Sequence, residues 1–347
     1  MPPTFQPESG LGPGRPSRTS ILVAAGRAFG HREPDESVRN PDWLAGRLLG
    51  PAERELIAEH PISAAISADY REARRNAEVA GMSNLMLVRT RFIDEHLQDA
   101  MRAGAGQVVI LGAGFDTRGY RFAELLQDRK VFEVDFHSTQ EFKKRRLQEV
   151  LGSVPPHVVF VEIDFKREKV CDVLAAAGYR EDQKTFFIWE GVSMYLTEDA
   201  VRSTLGTVGG AAPGSRLVMD FTTRSLVDVM TRNPKLPQVR YTSRWGEPWI
   251  FGIPDGRERE FFGKFNLELG EVLSPFGRDG RERYLTRADG TTLGPSRRER
   301  RSQRSGKGAM SGVARLRMLV TMLPFLWNLL RGRRGYALAV LTVPERR

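Results

Sequence analysis

An α/β fold with a doubly wound, mostly parallel sheet is what this sequence predicts, and three observations predict it. The first is QVVILGAGFDTR at 107–118, where the apolar run Val108–Leu111 can be buried on both faces and stops at Gly112-Ala113-Gly114. A continuous apolar strand running into a glycine turn opens parallel-sheet nucleotide folds, because glycine lets backbone approach a ligand where a side chain would intrude. The second is recurrence: KVFEVDF at 130–136, VVFVEID at 158–164 and TFFIWEG at 185–191 each read as a strand ending in an acid. The third is spacing. Asp135 lies 23 residues beyond Gly112, Asp164 another 29 and Glu190 another 26, close to the roughly 30 residues of a βαβ unit.

The elements follow in chain order. Residues 1–17 hold five prolines and three glycines and no cationic-plus-apolar signal pattern, so a disordered lead-in is expected. A first helix is expected near Arg18-Thr19-Ser20, carrying ILVAAGRAF. Pro34 and Pro41 interrupt, and 51–70 returns to helical composition. Residues 18–103 thus read as a helical cap and entry region. It ends in SNLMLVRTRFIDEHLQDAM at 83–101, apolar at 85, 88, 92, 93 and 97, a helical stripe. Arg89 points out of that stripe. A buried cation must find a partner, here a sheet acid such as Glu190 or Asp164, or a ligand carboxylate. Arg91 is spaced to pair with Asp94 and Glu95 as a surface ion pair.

Residues 104–223 are expected to form the core, starting with a helical stretch from about Asp116 and ending with RLVMDF at 216–221 as a fifth strand. Residues 224–334 read as insertions covering a substrate cavity, and YALAVLTV at 336–343 returns to the sheet as its last member. The chain is then one elaborated domain over 18–347. Trp189 belongs to the sheet core, while Trp245 and Trp249, in the turn-rich YTSRWGEPWIFGIP, are expected to line the cavity. Cys171 reads as a small buried helix residue.

This arrangement puts Gly112–Gly114, Asp135, Asp164 and Glu190 at the carboxyl ends of neighbouring parallel strands, the edge where doubly wound sheets bind ligands. Four such blocks, with VRTRFID at 88–94 upstream, resemble a class I S-adenosylmethionine-dependent methyltransferase. The resemblance is to the leucine carboxyl methyltransferase family, in the branch containing bacterial small-molecule O-methyltransferases. The matching blocks are LGAGFDTR (111–118), FEVDF (132–136), the acid of EIDF (162–165) and EGVSMYL (190–196), and the likeness runs over about 18–290. One departure is His137, where the family pattern usually has proline.

The resemblance implies that Gly112, Ala113 and Gly114 line the methionine moiety of S-adenosyl-L-methionine and that Asp135 accepts its ribose hydroxyls. It also implies that Asp164 and Phe165 sit at the adenine, that Glu190 closes the methionine end and that Arg89 handles a carboxylate. Cofactor chemistry agrees, since a sulfonium, an ammonium and a diol suit acids at strand ends. No phosphate needs cradling, and no P-loop lysine is present. Glu190 has an alternative role as a fold-stabilising acid.

Composition bounds the rest. One cysteine excludes an intramolecular disulfide and a multi-cysteine zinc site, and suits a reducing cytosol. Five scattered histidines form no HExxH pair, so no metal is expected. The net charge of +10 is confined to 297–334, which holds eleven Lys/Arg and one acid, Glu299. RRERRSQRSGK at 297–307 has no aromatic platforms and reads as a solvated insertion, so no nucleic-acid partner is expected. MLVTMLPFLWNLL at 318–330 is shorter than the about 20 residues of a membrane span. It reads as a cavity cover, or as a peripheral membrane contact through 313–334. A cytosolic location is expected, and oligomeric state is not legible.

The expected reaction is in-line methyl transfer to a carboxylate or hydroxyl of a small-molecule or lipid-like acceptor. A carboxylate needs no base, whereas a hydroxyl does. His31, His137 and Tyr195 are conceivable bases, with Tyr195 also readable as packing. Two rivals stay open: a nicotinamide-dependent oxidoreductase, and a membrane-surface or polyanion-binding protein with a vestigial cofactor pocket. Thr117 in place of the third glycine of GxGxxG, and the lack of a Tyr-x-x-x-Lys pair, weigh against the first.

Overall fold

The computed structural model describes residues 16–233, 236–294 and 334–345. Among them seven strands form one sheet: β1 Gln107–Leu111, β2 Lys130–Asp135, β3 Val158–Glu162, β4 Thr185–Trp189, β5 Arg216–Thr222, β6 Glu268–Leu273 and β7 Tyr336–Thr342. Their order is β3-β2-β1-β4-β5-β7-β6. Strands β1 to β5 run parallel, and β7 is antiparallel to both its neighbours. The order reverses between β1 and β4, and a crevice opens at the carboxyl ends there.

The central strands are apolar on both faces because helices cover both. Val108, Ile110, Phe186 and Ile188 face the N-terminal helices, while the alternate residues Val109, Leu111, Phe187 and Trp189 join the core on the other side. The first helix, Arg18–His31, is capped by Ser17, whose side chain accepts from Ser20 N. It packs against the long helix Ala77–Arg102, which Asn76 caps. Val88, Phe92, Ile93 and Leu97 are the buried stripe of that long helix, and its amino-terminal half reaches the crevice.

Several expectations are corrected. Ser17, placed with the lead-in, is fixed, its backbone N donating to Thr139 Oγ1 at 3.1 Å. Residues 224–334 were expected to be cover alone, yet ELGEVL at 268–273 is an edge strand on β7. Its acids and Gly270 hide the strand pattern, and its pairing is irregular between Leu269 and Val272. Arg91 does not form the ion pairs expected with Asp94 and Glu95. It donates to the carbonyls of Glu36, Ser37 and Arg39, while Asp94 is taken by Arg118 and Arg121. The helical stretch expected from about Asp116 is split into two short helices, Arg118–Arg121 and Ala123–Leu126. Cys171 is half-buried rather than buried.

Residues 1–15 of the lead-in, the basic run from 297 and the apolar stretch 318–330 lie outside the described residues, as does the membrane contact expected there, Arg334 excepted. Among the described residues no helix is long and apolar enough to cross a membrane.

Candidate active site

One cavity of about 1710 Å³ opens at the carboxyl edge of the sheet. Gly112, Ala113, Gly114, Asp135, Asp164, Phe165, Glu190, Arg89 and Tyr195 all line it. The turn after β1 needs its glycines. Gly112 and Gly114 have φ of 65° and 45°, a region side chains disfavour. A Cβ on Gly112 would collide with Val192, and one on Gly114 would come within 2.8 Å of Ser20 Cβ. The start of the first helix therefore roofs the turn. Glu247 holds that roof in place, accepting from Ser17 Oγ at 3.0 Å, Arg18 N at 3.1 Å and Thr19 Oγ1.

Asp135, at the end of β2, accepts from Gly114 N and from Phe136 N, the latter at 2.6 Å. Each carboxylate oxygen so engaged keeps a further acceptor position. Burial raises this carboxyl above its ordinary range, against the pull of the two N–H groups. Asp164 is more open, and its side chain accepts from Lys166 N at 3.0 Å.

Glu190 stands at the centre of a buried ionic cluster. Its Oε1 accepts from Arg27 Nη2 at 2.7 Å and Arg89 Nε at 3.0 Å, and its Oε2 from Arg118 Nη1 at 2.8 Å. Its side chain is 4% exposed. Burial alone raises such a carboxyl, but Arg27, Arg89 and Arg118 together hold it well below the usual carboxylate range. Arg118 also binds Asp94 at 2.7 Å and Asp116. Both Glu190 oxygens thus face cations, the geometry of an acid that organises arginines, which was the alternative left open by the sequence.

Arg89 finds one of the sheet acids its position allowed, and a second that was not foreseen. It pairs with Glu190 and lies 3.6 Å from Asp220 through Nη1, not with Asp164. Arg89 lines the cavity, and its Nη2 is buried with no hydrogen-bond partner among the described residues. An orphaned guanidinium nitrogen of that kind is costly and suits a ligand carboxylate.

Beyond Glu190 the cavity turns apolar, walled by Leu85, Met194, Leu226, Met230, Trp249 and Phe276. Trp249 is there as expected. Trp245 is not, since it is buried against Tyr241 with ring centroids 5.8 Å apart. Tyr195 closes a short helical turn, Ser193–Tyr195, and burial raises its phenol further from ionisation. His31 turns away to Asn40 O at 2.9 Å. His137 begins the helix His137–Leu151 and pairs on the surface with Glu162 at 2.8 Å. Neither histidine is among the lining residues. With Glu141, His137 and Glu162 form an exposed cluster on the surface.

Five functional candidates escaped the sequence: Arg27, Arg118, Asp220, Glu247 and Tyr336. Arg118 closes the LGAGFDTR block, so its position was signalled even though its role was not. The others lie in segments read only for secondary structure or turns: Arg27 in ILVAAGRAF, Asp220 in RLVMDF, Glu247 in YTSRWGEPWIFGIP and Tyr336 in YALAVLTV.

Comparisons with known proteins complete the description. Residues 20–209 match the family model for leucine carboxyl methyltransferase. YktD of Bacillus subtilis (strain 168), provisionally named an S-adenosyl-L-methionine-dependent methyltransferase, is 31% identical over 244 residues, covering 67% of this chain and 80% of that one. A Streptomyces coelicolor relative with the same provisional description is 33% identical over 211 residues, 60% of this chain and 70% of the relative. Among solved structures, geranyl diphosphate methyltransferase in complex with SAM aligns at a TM-score of 0.39 and 16% identity, over 80% of this chain and 91% of that one.

Proposed function

The chain belongs to the leucine carboxyl methyltransferase family and is an S-adenosylmethionine-dependent methyltransferase, and from that premise we propose that it methylates an oxygen, carboxylate or hydroxyl, of a small or lipid-like metabolite. The observation that carries this reading is one cavity with two characters, polar and cation-anchored at the sheet edge and apolar beyond it. Its 1710 Å³ exceeds the roughly 300–1,000 Å³ of a typical single-ligand pocket, leaving room for an acceptor beside the cofactor. The family match also removes the reason to keep a nicotinamide cofactor.

The chain's residues suit the cofactor. On this reading Arg89 takes its carboxylate, Asp135 the ribose diol, and Asp164 with Phe165 the adenine. The glycine turn admits the methionine moiety. Glu190 contributes indirectly, by fixing Arg89 through its Nε. Bound there, S-adenosylmethionine supplies an electrophilic methyl group on a cationic sulfur. The chain's task is then alignment of an acceptor oxygen behind that carbon and exclusion of water. The apolar wall serves the second purpose and selects an acceptor with an apolar body.

The test is to incubate the protein with methyl-labelled S-adenosylmethionine and a cell extract. Label should enter the organic-soluble small-molecule fraction, as an ester or an ether. Label confined to precipitated protein or RNA would refute the small-molecule reading. In parallel, calorimetry should show binding of S-adenosylhomocysteine and none of NAD(H).

A further inference from the structure

At the apolar half of the cavity a lining tyrosine, Tyr336, is bonded to Asp220, a fully buried acid that does not itself line the cavity. Met194, Leu226 and Tyr336 form a small cluster on which Leu85, Tyr195, Met230 and Trp249 pack, and all seven line the cavity. Tyr336 opens β7 opposite Thr222, the last residue of β5. Its hydroxyl donates to Asp220 Oδ2. The other oxygen of Asp220 accepts from Gly191 N at 2.7 Å, and Arg89 Nη1 lies 3.6 Å from Oδ2. A tyrosine that has given its hydrogen away keeps oxygen lone pairs able to accept another. Tyr336 therefore offers the cavity an acceptor backed by a buried carboxylate, beside the arginine proposed to hold the cofactor.

We propose that Tyr336, relayed to Asp220, takes the proton of a hydroxyl acceptor, so that this site methylates an apolar phenol or enol rather than a carboxylate. The inference rests on the methyltransferase reading above. The acceptor oxygen forms its bond to the methyl carbon as the carbon–sulfur bond breaks, and that electron pair stays on sulfur. The acceptor's proton passes to Tyr336 Oη while the Tyr336 proton passes to Asp220 Oδ2. A positive charge is lost at sulfur and a negative one at Asp220, so charge balances.

Two features favour this over a carboxylate acceptor. An ionised acid needs no base, so a tyrosine backed by a carboxylate would have no proton to take from it. Burial, opposed by Arg89 and the Tyr336 hydrogen bond, also leaves the Asp220 carboxyl above its usual range, which makes it a stronger proton acceptor. Phenols and enols are the hydroxyls acidic enough for such a relay, whereas aliphatic alcohols are much weaker acids.

The experiment compares 4-octylphenol with 4-octylbenzoic acid as probes, using labelled S-adenosylmethionine with the wild type and Tyr336→Phe. The wild type should methylate the phenol and not the acid. Tyr336→Phe keeps the ring, so S-adenosylhomocysteine affinity should be unchanged by calorimetry. In the S-adenosylhomocysteine complex, its affinity for 4-octylphenol should fall about fivefold, the worth of one hydrogen bond. Its kcat should fall about 10²- to 10⁴-fold, far more than KM changes. Should that variant unfold, Asp220→Asn removes the base while keeping the side chain's shape, and the same kcat loss is expected.

Methylation of the acid, of neither probe, or phenol turnover in Tyr336→Phe within about threefold of wild type, where general-base loss predicts far more, overturns the proposal. In those cases intact S-adenosylhomocysteine binding leaves the methyltransferase reading standing. Failure of the wild type to bind S-adenosylhomocysteine brings down both.

Discussion

The two halves of the cavity are built in opposite ways. The cofactor half draws on consecutive βα units: the turn after β1, Asp135 after β2, Asp164 after β3 and Glu190 after β4. Each supplies a short local segment, and a buried web of Arg27, Arg89 and Arg118 around Glu190 ties the first helix, the long helix and the glycine turn together. The acceptor half takes Leu85, Met194, Leu226, Met230, Trp249, Phe276 and Tyr336 from six separate segments, joined mostly by apolar contact. A pocket made of charge pairs fixes one ligand geometrically. A pocket made of apolar side chains, methionine among them, adapts to shape. On the proposed reading, the contrast makes cofactor identity and acceptor choice separable in this chain.

Mutations can break that separation or sharpen it. Glu190→Ala should do the greatest damage, since removing one member of a buried ion cluster typically costs about 3–5 kcal/mol. Chemical denaturation reads this, and a loss below about 1 kcal/mol, well short of that range, would deny the cluster its structural role. The pH dependence has a definite sign. The depressed carboxyl of Glu190 contributes stability that is present above the ordinary carboxylate pKa and is lost only as pH falls through its much lower folded value. The cluster should therefore survive mild acid.

Arg89→Ala comes next, at about 1.5–3 kcal/mol of cofactor affinity for a charged hydrogen bond. The discriminating ligand is decarboxylated S-adenosylmethionine. Wild type should prefer the carboxylated form, and the variant should bind both alike. Damage to the melting temperature without loss of that preference would assign Arg89 to the fold alone.

Asp135→Ala should weaken S-adenosylhomocysteine binding by about 1–3 kcal/mol, measured by calorimetry on a variant with an unchanged melt. Because the folded carboxyl is raised by burial, it protonates earlier on acidification than an exposed aspartate. Affinity should thus begin to fall at higher pH than an ordinary aspartate would allow, and Asp135→Asn should flatten that profile. For stability the sign is reversed: the raised carboxyl favours the folded state below the unfolded pKa, and that advantage disappears as pH rises through the folded one. The smallest cofactor effect belongs to Met230→Ala, expected within about 0.5 kcal/mol for a side chain remote from the cofactor half, with acceptor affinity alone reduced. A matching loss of S-adenosylhomocysteine affinity would show that the two halves are coupled.

What the sequence alone determined was the sheet and the edge of it that carries the site. Apolar runs ending in Gly112, Asp135, Asp164 and Glu190 are local patterns, and their regular spacing leaves few ways to pair the strands. The tertiary structure alone decided which charges meet. Arg91 was spaced for an ion pair with Asp94 and Glu95 yet clamps loop carbonyls, because Arg118 and Arg121 reach Asp94 first. Glu190 and Arg27 are 163 residues apart, and Tyr336 and Asp220 are 116 apart. No periodicity encodes such meetings. Backbone pattern follows from neighbours along the chain, whereas pairing of side chains depends on where distant elements pack, which is also why β6 stayed hidden until β7 offered it an edge.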